Sequence, residues 1–168
     1  MKSIISDIPL PPFVLFGRKK IPFRAIDHMT LDEKMAVCSI KSTDENEILQ
    51  ELCQIFFEKP LEECKETWKL CIWSAKVLEQ VNEWNKAEAQ KLKYEPTPEE
   101  IAAGYNDFKV FGDFSTYDAI SKRQGISHDA VGKLEYTMVF TMLWKDLMES
   151  AYQKKYIENQ EKKNKIKK

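Results

Sequence analysis

Histidine and glycine are scarce in this chain, and the motifs that depend on them are missing too. His28 and His128 are the only histidines, four cysteines (Cys38, Cys53, Cys64 and Cys71) accompany them, and no two cysteines stand in a CxxC spacing. That argues against a zinc site, which gathers such ligands at short fixed intervals. The five glycines form no phosphate loop, and neither an HExxH nor a GxSxG motif is present. Without a convergent set of reactive groups the chain is expected to be no enzyme and to need no cofactor or metal. The paired carboxylates Glu62-Glu63 and Glu99-Glu100 stand at predicted helix starts, where they complement the helix dipole.

A basic excess is also missing. Twenty-six basic residues face 27 acidic ones, a formal net charge of -1, whereas affinity for nucleic acid grows with the number of cations that displace counterions. No apolar run is long enough to span a membrane, and Pro9, Pro11 and Pro12 interrupt the first one, so neither a membrane span nor a signal peptide is expected. Cysteines placed in apolar helical stretches read as small hydrophobes, and reduced thiols suit an intracellular setting.

What is present is the material of a helical domain. The 168 residues are 43% apolar and 32% charged, enough for one packed core. The expected fold is all-α, a multi-helix body over residues 30–157 with an extended proline-rich arm at 1–29 and a frayed basic tail at 158–168. Pro9, Pro11, Pro12 and Pro22 forbid a long helix in the arm, because each removes an amide donor and biases its predecessor toward extended backbone. Apolar neighbours such as Val14, Phe16 and Phe23 require the arm to lie on protein, and a short hairpin through Gly17-Arg18-Lys19-Lys20 fits it.

In the body, Thr30 caps a helix over 31–40, and Ser42-Thr43-Asp44 opens a second whose apolar residues recur at three- and four-residue steps. Beyond Pro60 an apolar stripe runs to about residue 92. Thr97-Pro98-Glu99-Glu100 combines an N-cap, a proline at the first helical position and a capping-box glutamate. The helix it starts should run to Phe111 and stop at Gly112. Ser115 or Thr116 then caps a helix over 117–124, Gly125 ends it with positive φ, and Ser127 caps one long final helix. That helix carries Tyr136, Val139, Phe140, Leu143, Leu147 and Ala151 on one face.

The corner Gly125-Ile126-Ser127, between two amphipathic segments, resembles a DNA-reading helix-turn-helix. On that reading Lys122, Arg123, Ser127, His128 and Lys133 would meet the duplex. The second helix, however, is long, apolar and poor in cations, which suits a packing joint better than a recognition helix.

A second likeness spans most of the chain. The run from Ala103-Gly104 through Phe111-Gly112-Asp113 to Asp118, the segment Tyr136 to Leu143 and the ending Lys154-Lys155-Tyr156 resemble small bacteriophage proteins of the tail-assembly-chaperone type. Ser121 stands where those proteins often carry alanine. The resemblance implies a protein, in the host cytoplasm or the virion, that binds another tail or virion protein during morphogenesis, or is itself a structural component of the particle. Phe108, Phe111, Phe114, Tyr117 and Trp144 are the contact residues it suggests, each equally at home in an ordinary core. A DNA-binding regulator is the remaining alternative.

Overall fold

At the front of the chain a short apolar run after the prolines forms one strand of a hairpin. The computed structural model describes residues 8–166, which include an antiparallel pair, β1 (Phe13–Phe16) and β2 (Lys19–Pro22), with Val14 opposite Ile21 and Leu15 opposite Lys20. Gly17 makes the turn at φ +60°, a conformation that costs glycine nothing. The strand alternation buries Val14 and Phe16 and leaves Lys19 and Lys20 in solvent. The hairpin is part of a core, because those two side chains pack with Leu49, Cys53 and Leu70.

The described chain is largely helical. It divides into two units, each with its own contacts. The first comprises the described residues up to Lys86 together with Gly132–Tyr136. In it α1 (Leu31–Ser39) starts with a capping box between Thr30 and Glu33, and α2 (Glu45–Phe57) starts on the Asp44 carboxylate, which accepts from the amides of Asn46 and Glu47. A 3-10 turn, Leu61–Glu63, precedes α3 (Thr67–Lys91). Met29, Val37, Leu52, Trp73, Val77 and Val81 form the main core. Around the Trp73 indole, Phe23 stacks at 5.5 Å and Phe56 meets it edge-on at 4.9 Å between centroids. Leu52 and Leu70 are each 1% exposed, and truncating such a residue to alanine costs roughly 2–5 kcal/mol.

The stretch between residues 132 and 136 belongs to this first unit through its backbone. The Leu31 amide donates to the Leu134 carbonyl and the Tyr136 amide to the Met29 carbonyl, both at 2.9 Å, with Thr30 and Glu135 forming an isolated antiparallel bridge. These bonds interrupt the helix at 133–135, which form a turn, a bend and the bridge residue Glu135. They split the expected long final helix into α6 (His128–Gly132) and α7 (Tyr136–Ile166). Gly132 allows the approach: a Cβ there would collide with the Asp32 carboxylate.

The second unit comprises Ala87–Val131 and the described residues from Thr137 onward. Thr97 and Glu100 form the predicted capping box at α4 (Pro98–Ala102), but this helix ends after five residues. Gly104, at φ +93°, turns the chain into a 3-10 segment, Tyr105–Phe111, in place of a continuous helix. Next comes α5 (Phe114–Gln124), which begins at Asp113 and therefore ahead of the expected Ser115 or Thr116 cap, and which ends at Gly125 with φ +67°. Ser121 holds this corner, its hydroxyl donating to the Ile126 carbonyl at 2.6 Å. α7 continues as helix through the stretch expected to fray, with every side chain from 149 to 164 exposed.

The boundary between the two units at Lys86 and Ala87 falls inside α3. An unbroken helix gives the sequence no punctuation at that point.

Candidate protein-binding surface

The second unit carries a run of apolar side chains that the fold leaves in water. Phe108, Val110, Phe111 and Phe114 are 67%, 81%, 52% and 54% exposed. Their position follows from the two glycines around them. Gly104 and Gly112 both adopt positive φ, so the chain bends sharply on each side of a 3-10 turn. Such a turn has no broad face with which to bury all its side chains. The Phe108 and Phe111 rings lie 6.4 Å apart, and Phe114 meets the His128 imidazole edge-on at 5.1 Å. Exposed apolar side chains grouped in this way are a candidate interaction surface.

Of the five contact residues expected from the sequence, Phe108, Phe111 and Phe114 come together here. Tyr117 is half-buried in α5. Trp144 lies on α7 with the Lys91 ammonium 4.4 Å above its ring, an arrangement that covers part of the indole. Val110, the most exposed member of the run, was hidden in the sequence by its apparent place on the apolar face of a helix to Phe111.

Beside this run the same unit has a groove of about 560 Å³. Leu92, Leu143 and Leu147 supply its apolar lining, with Tyr94 and Ser150, while Glu100, Asp146 and Lys154 add charge. One hydrogen-bond network fixes its rim. Lys154 donates to the Tyr94 hydroxyl at 2.6 Å and to Glu100 Oε1 at 2.8 Å, Tyr94 donates to Glu100 at 2.7 Å, and the Thr97 amide donates to Glu100 Oε2 at 2.9 Å. The Lys154 ammonium above all, then the Thr97 amide and the Tyr94 hydroxyl, hold the Glu100 carboxyl down at about 2. Tyr105, the first residue of the 3-10 turn, packs on Tyr94 with ring centroids 5.6 Å apart. The rim of the groove is therefore in contact with the first residue of the 3-10 turn. Tertiary proximity brings the groove residues together from α4, α7 and the end of α3, so no local motif announces them.

The residues proposed for reading DNA are held differently. Lys122 pairs with Asp118 at 2.6 Å, and Arg123 pairs with Asp146 and donates to the Met142 carbonyl at 3.2 Å. Ser127 accepts from the Ala130 amide at 3.2 Å as the cap of α6, while His128 lies 4.0 Å from Asp118. Lys133 is exposed in the turn after α6. Carboxylates thus meet the two α5 cations, and α6 has only five residues to place in a groove.

Thiol chemistry has little footing. Cys53 is buried and its thiol is pushed up to about 12 by that burial, and burial also raises Cys64. A thiol held protonated is a weak nucleophile. Cys38 and Cys71 are exposed instead of buried as small hydrophobes, because both lie on outer helix faces. Among the described residues no three His, Cys, Asp or Glu side chains are grouped to hold a metal ion, and no helix is long and apolar enough to cross a membrane. No protein-family model, no curated protein and no solved structure matches the chain.

Proposed function

We propose that this chain is a non-enzymatic morphogenesis protein of a bacteriophage, which binds another tail or virion protein during assembly in the manner of a tail assembly chaperone. The observation that carries the binding role is the exposed run Phe108, Val110, Phe111 and Phe114. Leaving such side chains in water forgoes roughly 1.5–3 kcal/mol for each one that a partner would cover. Aromatic anchors with a polar surround are also what protein interfaces use for most of their affinity. The phage context rests on the resemblance of the segments around Phe111-Gly112, Tyr136 to Leu143 and Lys154-Lys155-Tyr156.

The test is co-expression of the tagged chain with the products of the genes flanking its own, followed by capture. A tail or virion protein should be retained by the wild type, and retention should fall at least tenfold for the triple variant Phe108→Ser, Phe111→Ser, Phe114→Ser. Failure to capture any flanking product, or equal capture by the variant, would sink this reading. A mass-spectrometric inventory of purified particles then separates a transient chaperone, absent from the virion, from a structural component.

A further inference from the structure

We propose that the outer face of the hairpin and the start of α3 bind single-stranded nucleic acid, with backbone phosphates on Arg18, Lys20 and Lys65 and a base stacked on the Trp68 indole. The site lies wholly in the first unit and does not depend on the exposed run from Phe108 to Phe114.

Charge of one sign is gathered there. From Ile8 to Ile26 the chain has four cations, Arg18, Lys19, Lys20 and Arg24, and no carboxylate. Arg24 is paired with Glu33. Arg18, Lys19 and Lys20 are exposed and have no ion pair among the described residues. The formal charge of -1 is a sum over the whole chain and leaves this local excess in place.

Backbone pairing sets the cations on one face. Lys20 stands opposite Leu15 across the hairpin, and directly opposed side chains share a face. On the other side of β1, Phe16 bridges to Cys64, the Gly17 amide donates to the Glu63 carbonyl at 2.8 Å, and the Lys65 amide donates to the Leu15 carbonyl at 3.0 Å. Phe16 is buried in the core with Val14, so alternation turns Lys65 to the side of Leu15 and Lys20. Beside them two ammonium groups share the Phe13 ring, Lys20 at 4.7 Å and Lys69 at 4.5 Å from its centroid. Lys69 is paired with Glu66 at 2.7 Å, whereas Lys20 has no carboxylate partner. Glu62 and Glu63, exposed in the 3-10 turn, pair with none of these cations.

The aromatic half of the site is Trp68. Its indole is 61% exposed in the first turn of α3, with the Lys69 ammonium 5.7 Å from the ring centroid. An indole left in water beside cations suits stacking on an unpaired base, and every base has a π face to offer. The phosphates add affinity by giving up counterions to lysine and arginine. Lysine on a free strand edge also discourages pairing with another chain, but that role calls for neither Arg18 nor Lys65 nor an indole in solvent. A lipid surface fits less well, because Phe13 and Leu15, the other large apolar side chains of this face, are half-buried and have little to insert. A duplex hides the faces of its bases, so only a single strand can use both halves of the site.

The experiment is fluorescence anisotropy of a labelled oligothymidylate of about 12 nucleotides, titrated with the full chain at salt concentrations from about 20 to about 200 mM. At the lowest salt the dissociation constant should be on the order of 10 µM, and log affinity should fall against log salt with a slope of about -2, as three phosphate contacts on a single strand require. The triple variant Arg18→Gln, Lys20→Gln, Lys65→Gln should bind roughly tenfold more weakly at low salt and flatten the slope. Trp68→Ala should weaken binding about tenfold and leave the slope unchanged. Lys122→Gln with Lys133→Gln, which removes two cations outside the hairpin and α3, should bind as the wild type does. All these positions are exposed, and far-UV circular dichroism checks that each variant keeps its helix content. No binding at the lowest salt overturns the proposal. So does a duplex of the same length bound as tightly as the single strand, an affinity unchanged by Trp68→Ala, or an equal loss in the Lys122, Lys133 variant. A chain that binds vesicles with about one third phosphatidylserine but not the oligonucleotide overturns it as well.

Discussion

Glu58 is the one non-glycine residue with positive φ among the described residues, at φ 53° and ψ 38° just after α2. A side chain in this left-handed conformation crowds its own carbonyl, at a cost of roughly 1–2 kcal/mol. The position is where helices commonly end on glycine. Glu58 is exposed, so a substitution there disturbs no packing. Glu58→Gly should raise unfolding free energy by roughly 0.5–1 kcal/mol, the relief of strain exceeding the extra freedom of glycine in the unfolded chain. Urea denaturation reads this directly. An unchanged or lower midpoint with the same slope would show that no strain is stored there.

Among elements, α4 shows how far local sequence reaches. Its start was legible because Thr97, Pro98 and Glu100 satisfy the orphan amides of a first turn by themselves. Its end was not, since glycine inside an apolar pattern is compatible with a continuing helix, and only the structure shows Gly104 at φ +93°. The same contrast holds for the hairpin. The turn Gly17-Arg18-Lys19-Lys20 signalled it locally, whereas the core that receives Val14 and Phe16 comes from α2 and α3. Of the surface, the three phenylalanines were readable and the groove was not, its lining residues being separated by as much as 62 positions from Leu92 to Lys154.

The Glu100 network offers a test at this scale. Its carboxyl, held at about 2 against an ordinary 4.5, binds no proton until the pH falls well below the range where the unfolded chain takes one up. The stabilisation it lends α4 is therefore complete above 4.5, declines below it, and is gone once pH has fallen through about 2. Carboxyl ¹³C shifts should show Glu100 titrating near 2 in the wild type. In Lys154→Met the midpoint should move part of the way toward 4.5, because the Thr97 amide and the Tyr94 hydroxyl still donate. A wild-type midpoint at 4.5 would mean that the network does not hold in solution.

At the scale of the whole molecule, the first unit closes by bringing residues 28–31 against 134–136, across more than a hundred positions. Loop closure of that length is unfavourable in entropy, so the contacts that hold it govern how the unit unfolds. Backbone bonds from Leu31 and Tyr136 are reinforced on the outside by His28, whose Nδ1 lies 2.6 Å from Glu135 Oε1. Inside, the buried Lys34 ammonium lies 5.0 Å from the Tyr136 ring centroid, and Trp84 packs on that ring at 4.6 Å. The hydrogen bond to Glu135, and then its charge, raise the His28 imidazole above its ordinary 6.5. A raised pKa in the folded state means that folding takes up a proton in the interval between the two values. The stabilisation from this pair is complete below 6.5 and is lost as pH rises through the folded value. Thermal unfolding of the wild type should therefore fall with pH just above 6.5 more steeply than that of His28→Gln, with the two curves converging at higher pH. Parallel curves across this interval would show that His28 does not hold the closure, and that the backbone bridge and the Tyr136 contacts carry it alone.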